Sequence, residues 1–197
     1  MHRLWIDTET TGLNPDKHQI LTGYLIFEDD RDNILSEYGF TIPSYKEKIS
    51  FGAMNVNKIA FETIVAKSWE DERGADRTIK ELATHISENL GKERFSPAGQ
   101  NVQFDMGFIV KMFEEAGIEG FSDTLDHHYT DTANNATLFR DAGLYPKDLK
   151  LNLSQLAQFH GIKNPAPHTA KGDCHTARLV YHAQRNLLTS LAPMLVE

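Results

Sequence analysis

The chain has 197 residues, of which 40% are hydrophobic and 24% charged, and these values are typical of one globular domain with a substantial core. Its single cysteine, Cys174, excludes an internal disulfide framework and a cysteine-based zinc site, and the net charge of −8 argues against a protein that coats duplex DNA. Because the chain shows no membrane-span pattern and no signal-peptide pattern, we expect a single cytoplasmic domain over residues 1–197.

Three strands are predicted to open the chain as a meander. Arg3–Asp7 is largely apolar, and Gln19–Glu28 and Asn33–Ile42 are rich in β-branched and aromatic residues. The acidic link Asp29–Asp32 is short enough for a hairpin between the second and third strands. The following residues, 43–75, give a weaker pattern.

Strands and helices alternate in the rest of the chain. Within residues 43–75, the segment Val56–Ala66 indicates a short helix, and Glu70–Gly74 indicates a solvated turn. The later elements are predicted from helical spacing of apolar residues and from short β-rich runs. They are helix Asp76–Leu90, strand Arg94–Ala98, helix Gln103–Ala116, strand His128–Thr132, and helices Ala133–Ala142, Asn152–His160 and Gly172–Leu188. This order predicts an α/β fold with a mixed sheet flanked by helices.

An apolar run leads directly into two acids in the stretch LWIDTETTGL of Leu4–Leu13. Side chains two residues apart in a strand point to the same face, so Asp7 and Glu9 should lie side by side. Such a pair is costly unless a cation neutralises it, and Mg²⁺ or Mn²⁺ prefers oxygen ligands. The alternative is that both acids are solvated at the strand end. Gly12 would let a backbone or a ligand approach closely.

Two more acids begin predicted helices with apolar faces. Asp105 follows GQNVQF, and Asp173 lies five residues after His168. Taken singly, each of these acids could simply be an acid at the N-terminus of a helix, where the helix dipole favours negative charge. His168 is one of nine histidines and could be an ordinary surface residue. Asp131 is interpreted as a structural residue that bonds nearby backbone. Together, the four acids could hold two metal ions that stabilise the attacking and leaving oxygens of a phosphodiester, with His168 taking a proton from water.

Three blocks of sequence, IDTETTGL, GQNVQFD and HTAKGD, resemble the motifs of the DEDDh 3′–5′ exonucleases. This family includes polymerase proofreading subunits, RNase T and oligoribonuclease. The order and spacing of the blocks cover residues 4 to about 188. The resemblance implies a ribonuclease H-like α/β fold with a mixed five-stranded sheet flanked by helices.

The resemblance also implies roles for particular residues. The metal ligands for two ions, Mg²⁺ or Mn²⁺, are Asp7, Glu9, Asp105 and Asp173, and the general base is His168. By the same analogy, side chains after the first block contact the 3′-terminal sugar and base, namely Thr10, Thr11 and Leu13. Phe104 is either a stacking side chain for a base or part of the core.

The implied function is hydrolysis of single-stranded nucleic acid from its 3′ end to nucleoside 5′-monophosphates. DNA is favoured because GQNVQFD is nearer the proofreading type, and the net basic residues 144–190 could guide the strand. An exoribonuclease or oligoribonuclease-like enzyme for short RNA stays open, because Trp5 and the first block resemble oligoribonuclease. A homodimer or a polymerase partner also stays open, and no membrane association is expected.

Two other classes fit the residues less well. A non-catalytic nucleic-acid-binding module on the same fold would be expected to lack one of the acids or the histidine. A phosphatase with an aspartyl nucleophile typically carries two aspartates at this spacing, whereas this chain has Asp7 and Glu9.

Overall fold

The structure, a computed structural model, describes residues 1–43, 49–50, 52–53, 72–91 and 93–191. A five-stranded mixed sheet with strand order β3-β2-β1-β4-β5 lies at its centre. The strands are β1 (His2–Thr10), β2 (Ile20–Glu28), β3 (Ile34–Thr41), β4 (Phe95–Gly99) and β5 (Thr130–Asp131). The α-helices of the described residues are α1 (Glu72–Leu90), α2 (Val102–Glu115), α3 (Thr132–Asp141), α4 (Leu153–Phe159) and α5 (Ala170–Leu191). The predicted mixed α/β sheet with flanking helices is confirmed.

Strand β1 is the middle strand of the sheet. It pairs antiparallel with β2 and parallel with β4, and its register places Asp7 opposite Tyr24 and Glu9 opposite Thr22. The register shifts between Glu9 and Thr10, so the regular pairing of the strand is interrupted directly after the second acid. The apolar part of β1 is fully buried, as expected for a central strand.

The alternation of side chains along β1 divides the core between the two faces of the sheet. Leu4 and Ile6 pack in the cluster that includes residues of α1 and α2, whereas Trp5 packs in the cluster that includes Cys174 of α5. Asp7 continues the Trp5 side by the same period of two. None of the helices in the described ranges is long and apolar enough to cross a bilayer.

Several boundaries differ from the sequence prediction, and strand β1, predicted over Arg3–Asp7, runs as far as Thr10. Helix α1 begins at Glu72, so part of the predicted turn Glu70–Gly74 is helical; Ala75 and Ile79 are buried, and their packing extends the helix. Strand β5 has two residues rather than five, because His128 lies in a turn where its amide donates to Asp126 Oδ1 at 2.8 Å. The predicted helix Val56–Ala66 lies outside the described residues.

The carboxylate of Asp131 accepts hydrogen bonds at the N-termini of two helices, which agrees with its prediction as a structural residue. Its Oδ1 accepts from the amides of Ala133 and Asn134, at 2.8 and 3.2 Å, and so caps α3. Its carboxylate also accepts from the amides of Asn101 and Val102, at 3.2 and 3.0 Å, at the start of α2. The side chain of Asn101 makes no capping hydrogen bond, so Asp131 serves both helices.

The two arginines of α5 are engaged in ion pairs. Arg178 contacts the fully buried carboxylate of Glu28, and Arg185 Nη2 lies 2.6 Å from Asp32 Oδ2. These pairs join α5 to the β2–β3 turn. Arg178 and Arg185 are thus engaged within the protein, and the expectation that the net basic residues 144–190 guide a nucleic-acid strand stays a prediction.

Candidate active site

Three of the four predicted ligand acids converge at the carboxyl end of β1. Asp7 and Glu9 project from β1, and Asp173 lies in the first turn of α5. Each offers one carboxylate oxygen to a group whose oxygens all lie within 4.8 Å of one another. The strand period of two and the packing of α5 on β1 bring these side chains together.

Asp105 reaches the same end of β1 from α2. It is buried, and its Oδ1 accepts hydrogen bonds from the amide and the hydroxyl of Thr8, at 2.8 and 2.6 Å. Thr8 stands between Asp7 and Glu9 and so faces the opposite side of the strand. Asp105 is outside the three-oxygen group but close enough to Asp7 for its charge to raise the pKa of Asp7 further, beyond the rise that burial causes.

The acids carry more negative charge than their surroundings readily accommodate. Burial raises the pKa of Asp7 well above its ordinary value, and repulsion from Asp105, Asp173 and Glu9 adds to the rise. Burial and then Asp173 raise the pKa of Glu9 to about 7. Burial also raises the pKa of Asp105 to about 7, in spite of the two bonds from Thr8. An all-oxygen set of this kind fits a hard divalent cation, which would neutralise it.

His168 is presented to this cluster by a tight turn. Its backbone is in the left-handed region, with φ of 62°, and its amide donates to Asp173 Oδ2 at 3.2 Å. The histidine is half-buried, and it lines, together with Glu9, a cavity of about 600 Å³ over β2 and β3. Three of the four predicted ligands and the predicted base therefore lie at one place in the fold.

Two other groups of titratable side chains are less suited to a metal ion. Glu28, Asp32 and His182 lie close together, but arginines already neutralise their carboxylates. Asp126, His127 and His128 form an exposed or half-exposed group, and Asp126 Oδ1 is occupied by the amide and the ring of His128. The cluster at the end of β1 differs from both, since its acids repel one another.

The predicted substrate contacts have mixed environments. Leu13 is 81% exposed, whereas Thr10 and Thr11 are buried. The hydroxyl of Thr10 donates to the carbonyl of Gly12 at 2.7 Å, and that of Thr11 accepts from the amide of Gln19, so both hold the turn. Phe104 is half-buried and packs against the main core, with its ring 5.0 Å from that of Phe108.

Sequence reasoning did not identify Thr8 or Asn164. Thr8 lies inside the first block, but its contact with Asp105 depends on how α2 packs against β1, which the sequence does not reveal. The Asn164 side chain donates to Asp173 Oδ1 at 2.6 Å and accepts from the Ala166 amide at 3.0 Å. An asparagine just before a proline-rich loop is a common turn signal, but that signal does not indicate contact with a ligand acid. Gly12 is explained by His18, whose ring lies where a Cβ would stand.

Comparison with known proteins agrees with this geometry. The model of the RNase_T family, described as exonuclease, matches residues 4–181. None of the curated proteins compared with the chain matches it. Among solved structures, the chain is similar to cell-death related nuclease 4 (CRN-4), with 15% identity and a TM-score of 0.72 over 94% of this chain and 64% of that one.

Two structures of E. coli exonuclease I are also similar. The complex with a dT13 oligonucleotide has 18% identity and a TM-score of 0.69, over 96% of this chain and 43% of the other. The zinc ion bound form with single-stranded DNA has 19% identity and a TM-score of 0.71, over 98% and 43%. The chain thus spans less than two thirds of the length of these proteins. Their likeness confirms the ribonuclease H-like fold, and the match of the family model over most of the sequence shows that the chain belongs to the RNase_T family of exonucleases.

Proposed function

We propose that this chain hydrolyses single-stranded nucleic acid, DNA by preference, from the 3′ end and releases nucleoside 5′-monophosphates. In this proposal, two divalent ions, Mg²⁺ or Mn²⁺, bind to Asp7, Glu9, Asp105 and Asp173. The observation that carries the proposal is the convergence of three carboxylate oxygens within 4.8 Å of one another beside the turn that presents His168. The preference for DNA is supported by the likeness to exonuclease I, whose structures hold single-stranded DNA.

Each residue has a defined task in this reaction. The ions, when bound, supply the positive charge that stabilises the attacking and leaving oxygens of the terminal phosphodiester. Thr8 fixes the Asp105 carboxylate, and the turn before α5 fixes that of Asp173. A ring nitrogen of His168 takes a proton from the attacking water. The oxygen of that water joins the phosphorus, the bond to the 3′ oxygen of the preceding nucleotide breaks, and that oxygen gains a proton.

The substrate side of the proposal rests on position and exposure. Leu13 is exposed just beyond the acids and is suited to contact the terminal base or sugar. Thr10 and Thr11 would contribute through the shape of the turn they hold, because their hydroxyls are engaged within it. Phe104 is half-buried and its ring lies 5.0 Å from that of Phe108, so it contributes to core packing and leaves part of its surface for stacking on a base.

Digestion of end-labelled substrates tests the reaction and its direction. Single-stranded DNA, duplex DNA, RNA and dinucleotides are incubated with Mg²⁺ or Mn²⁺. A 3′-terminal label should leave as a mononucleotide at the earliest times, and a ladder should grow from that end. Asp7→Asn, which removes one ligand charge, serves as the inactive control, and excess chelator should abolish cleavage by the parent.

Several outcomes would count against the proposal. Early release of 5′-terminal mononucleotides, or cutting of closed circular single strands, would contradict the direction. Full activity in chelator would contradict the role of the metal ions. Faster digestion of dinucleotides and short RNA than of DNA would favour the oligoribonuclease-like alternative. Binding without cleavage under every condition would favour a non-catalytic module.

A further inference from the structure

The carboxylate of Asp173 is held at both oxygens by the segment that precedes α5. Its Oδ1 accepts from the side-chain amide of Asn164 at 2.6 Å, and its Oδ2 accepts from the backbone amide of His168 at 3.2 Å. Asn164 lies outside the three sequence blocks and is half-buried. We propose that Asn164 is a positioning residue that fixes the Asp173 carboxylate for divalent-cation binding. This inference rests on the metal role proposed above for Asp173.

The same side chain also shapes the turn that carries His168. Asn164 Oδ1 accepts from the backbone amide of Ala166 at 3.0 Å. The carbonyl of Ala166 accepts from the Thr169 hydroxyl at 2.7 Å, and that hydroxyl accepts from the Gly172 amide at 3.1 Å. A continuous set of hydrogen bonds therefore runs from Asn164 to the first turn of α5.

Close packing leaves this arrangement little room to shift. A Cβ on Gly172 would lie 2.1 Å from the carbonyl oxygen of Ala166 and 2.9 Å from Asn164 Oδ1. The loop thus lies directly on the helix backbone at the position before Asp173. Rotation of the Asp173 carboxylate would break the bond to Asn164, the bond to His168, or both.

An amide is chemically suited to this position. A lysine or arginine bonded to Asp173 would neutralise the charge that attracts the cation, whereas an asparagine donates without a net charge. The donor also opposes the effect of burial on the pKa of Asp173, and so favours the ionised form. Partners of this kind orient ligands, and their loss typically weakens metal affinity by about 10- to 100-fold.

Titration with Mn²⁺ in the absence of nucleic acid tests the inference. Asn164→Ala removes the amide, and Asn164→Leu removes it while keeping the branched shape of the side chain. We expect calorimetry to show Mn²⁺ affinity about 10- to 100-fold weaker in both variants. In cleavage assays, the Mn²⁺ concentration for half-maximal rate should rise, saturating Mn²⁺ should restore most of kcat, and KM for the strand should stay near the parental value.

Asn152→Ala is the matched control. Asn152 accepts from the amide of Gln155 at 3.0 Å and caps α4, so it has a similar bond to backbone without a contact to the acids. Its Mn²⁺ affinity should equal that of the parent. Melting in chelator separates positioning from folding: both Asn164 variants should melt within a few degrees of Asn152→Ala.

The outcomes distinguish this inference from the proposed function. If the parent binds no Mn²⁺, the proposed metal centre fails and the inference falls with it. If the parent binds Mn²⁺ and both Asn164 variants bind it equally well, only the inference is overturned. If both variants melt far below Asn152→Ala in chelator, Asn164 holds the fold together and the positioning role is wrong.

Discussion

At the level of single residues, the acids of the site differ in how their charge is balanced. Asp105 receives two hydrogen bonds from Thr8, and Asp173 receives two from the turn before α5. For Asp7 and Glu9, burial and repulsion between carboxylates govern the pKa. The protonation of these two acids should therefore affect the stability of the folded protein.

The first prediction concerns stability and pH in excess chelator. The pKa of Glu9 is raised from 4.5 to about 7 on folding, and that of Asp7 is also raised, so the folded state binds more protons than the unfolded chain. Stability should then fall as the pH rises from about 5 to about 8, because these protons are lost. Glu28 and Asp32, whose pKa values are lowered, stay ionised in this range and do not oppose the trend. Burial lowers the pKa of His160 and of His175, so these two histidines oppose the trend and reduce its size. Melting temperatures across the pH range measure it.

Variants and metal provide the controls for this prediction. Asp7→Asn and Glu9→Gln should flatten the pH dependence, because each removes a charge from the repelling cluster. Addition of Mn²⁺ should stabilise the parent most at the high-pH end, where the acids are ionised. If Asp7→Asn and Glu9→Gln show the same pH dependence as the parent in chelator, the acids do not repel one another in this way.

The second prediction concerns His168 as the general base. His168→Ala should lower the single-turnover rate by about 10²- to 10⁴-fold, the usual contribution of general-base catalysis. Mn²⁺ affinity should stay near the parental value, because the side chain is not one of the proposed ligands and its amide can still donate to Asp173. Rapid-quench cleavage and calorimetric Mn²⁺ titration measure the two effects.

Asp173→Ala is the comparison for His168→Ala, since it should lose both rate and metal affinity. A His168→Ala protein that cleaves at the parental rate would exclude the role of the histidine as base. One that loses Mn²⁺ as strongly as Asp173→Ala would instead make the imidazole a ligand.

At the level of elements, Asp131 determines where two helices begin. It caps α3, and it bonds the first amides of α2, whose own N-terminal residue, Asn101, contributes no side-chain hydrogen bond. Asp105 lies in the first turn of α2. The position of Asp105, a candidate ligand, therefore depends on Asp131 of β5, a strand that β4 separates from β1.

Asp131→Ala is predicted to act on both stability and metal binding. Loss of an N-cap typically costs about 0.5–2 kcal/mol, and the buried amides left without an acceptor should place the loss at or above the upper end. Mn²⁺ affinity should also fall, because the start of α2 is released. Asn152→Ala should show a capping loss without a change in Mn²⁺ affinity. Equal affinity in both variants would show that α2 is fixed independently of Asp131.

The elements also show what sequence patterns can and cannot predict. The face of α5 was predictable because Ala177, Val180 and Gln184 recur at helical spacing, and all three are buried. The start of α1 at Glu72 was not, because tertiary packing extends the helix across Gly74, a poor helix former. The acids of the site were identified because alternation and motif spacing are local properties. Thr8 was missed because its partner, Asp105, is distant in sequence. Asn164 was missed because a turn signal does not indicate a hydrogen bond to a ligand acid nine residues further along the chain.

At the level of the whole molecule, a buried ionic network joins the second strand to the last helix. Glu28 is fully buried and contacts Arg3 Nη1 at 3.1 Å, His182 Nε2 at 3.0 Å and the guanidinium of Arg178. Burial alone would raise the pKa of Glu28, but His182 and Arg178 hold it below its ordinary value. Since Glu28 pairs with Arg3 in register, the network lies about 13 Å along β1 from Asp7.

Glu28→Gln is predicted to destabilise the fold strongly without affecting the metal centre. The substitution leaves buried cationic side chains without their carboxylate, and loss of one partner of a buried pair typically costs about 3–5 kcal/mol. Urea unfolding measures this cost, and calorimetry at a temperature where the variant is folded should give a parental Mn²⁺ affinity, because the network is remote from the acids.

Glu81→Gln is the matched control for this last prediction, since it also removes one carboxylate from an ion pair with an arginine. Its partner Arg77 is 80% exposed and Glu81 is 52% exposed, so water already screens the pair and the loss of stability should be much smaller than for Glu28→Gln. A Glu28→Gln protein as stable as Glu81→Gln would mean that the cost of burying the charges offsets their attraction. If Mn²⁺ binding is weakened in Glu28→Gln but not in Glu81→Gln, the ion pairs that join α5 to β2 also determine the position of Asp173.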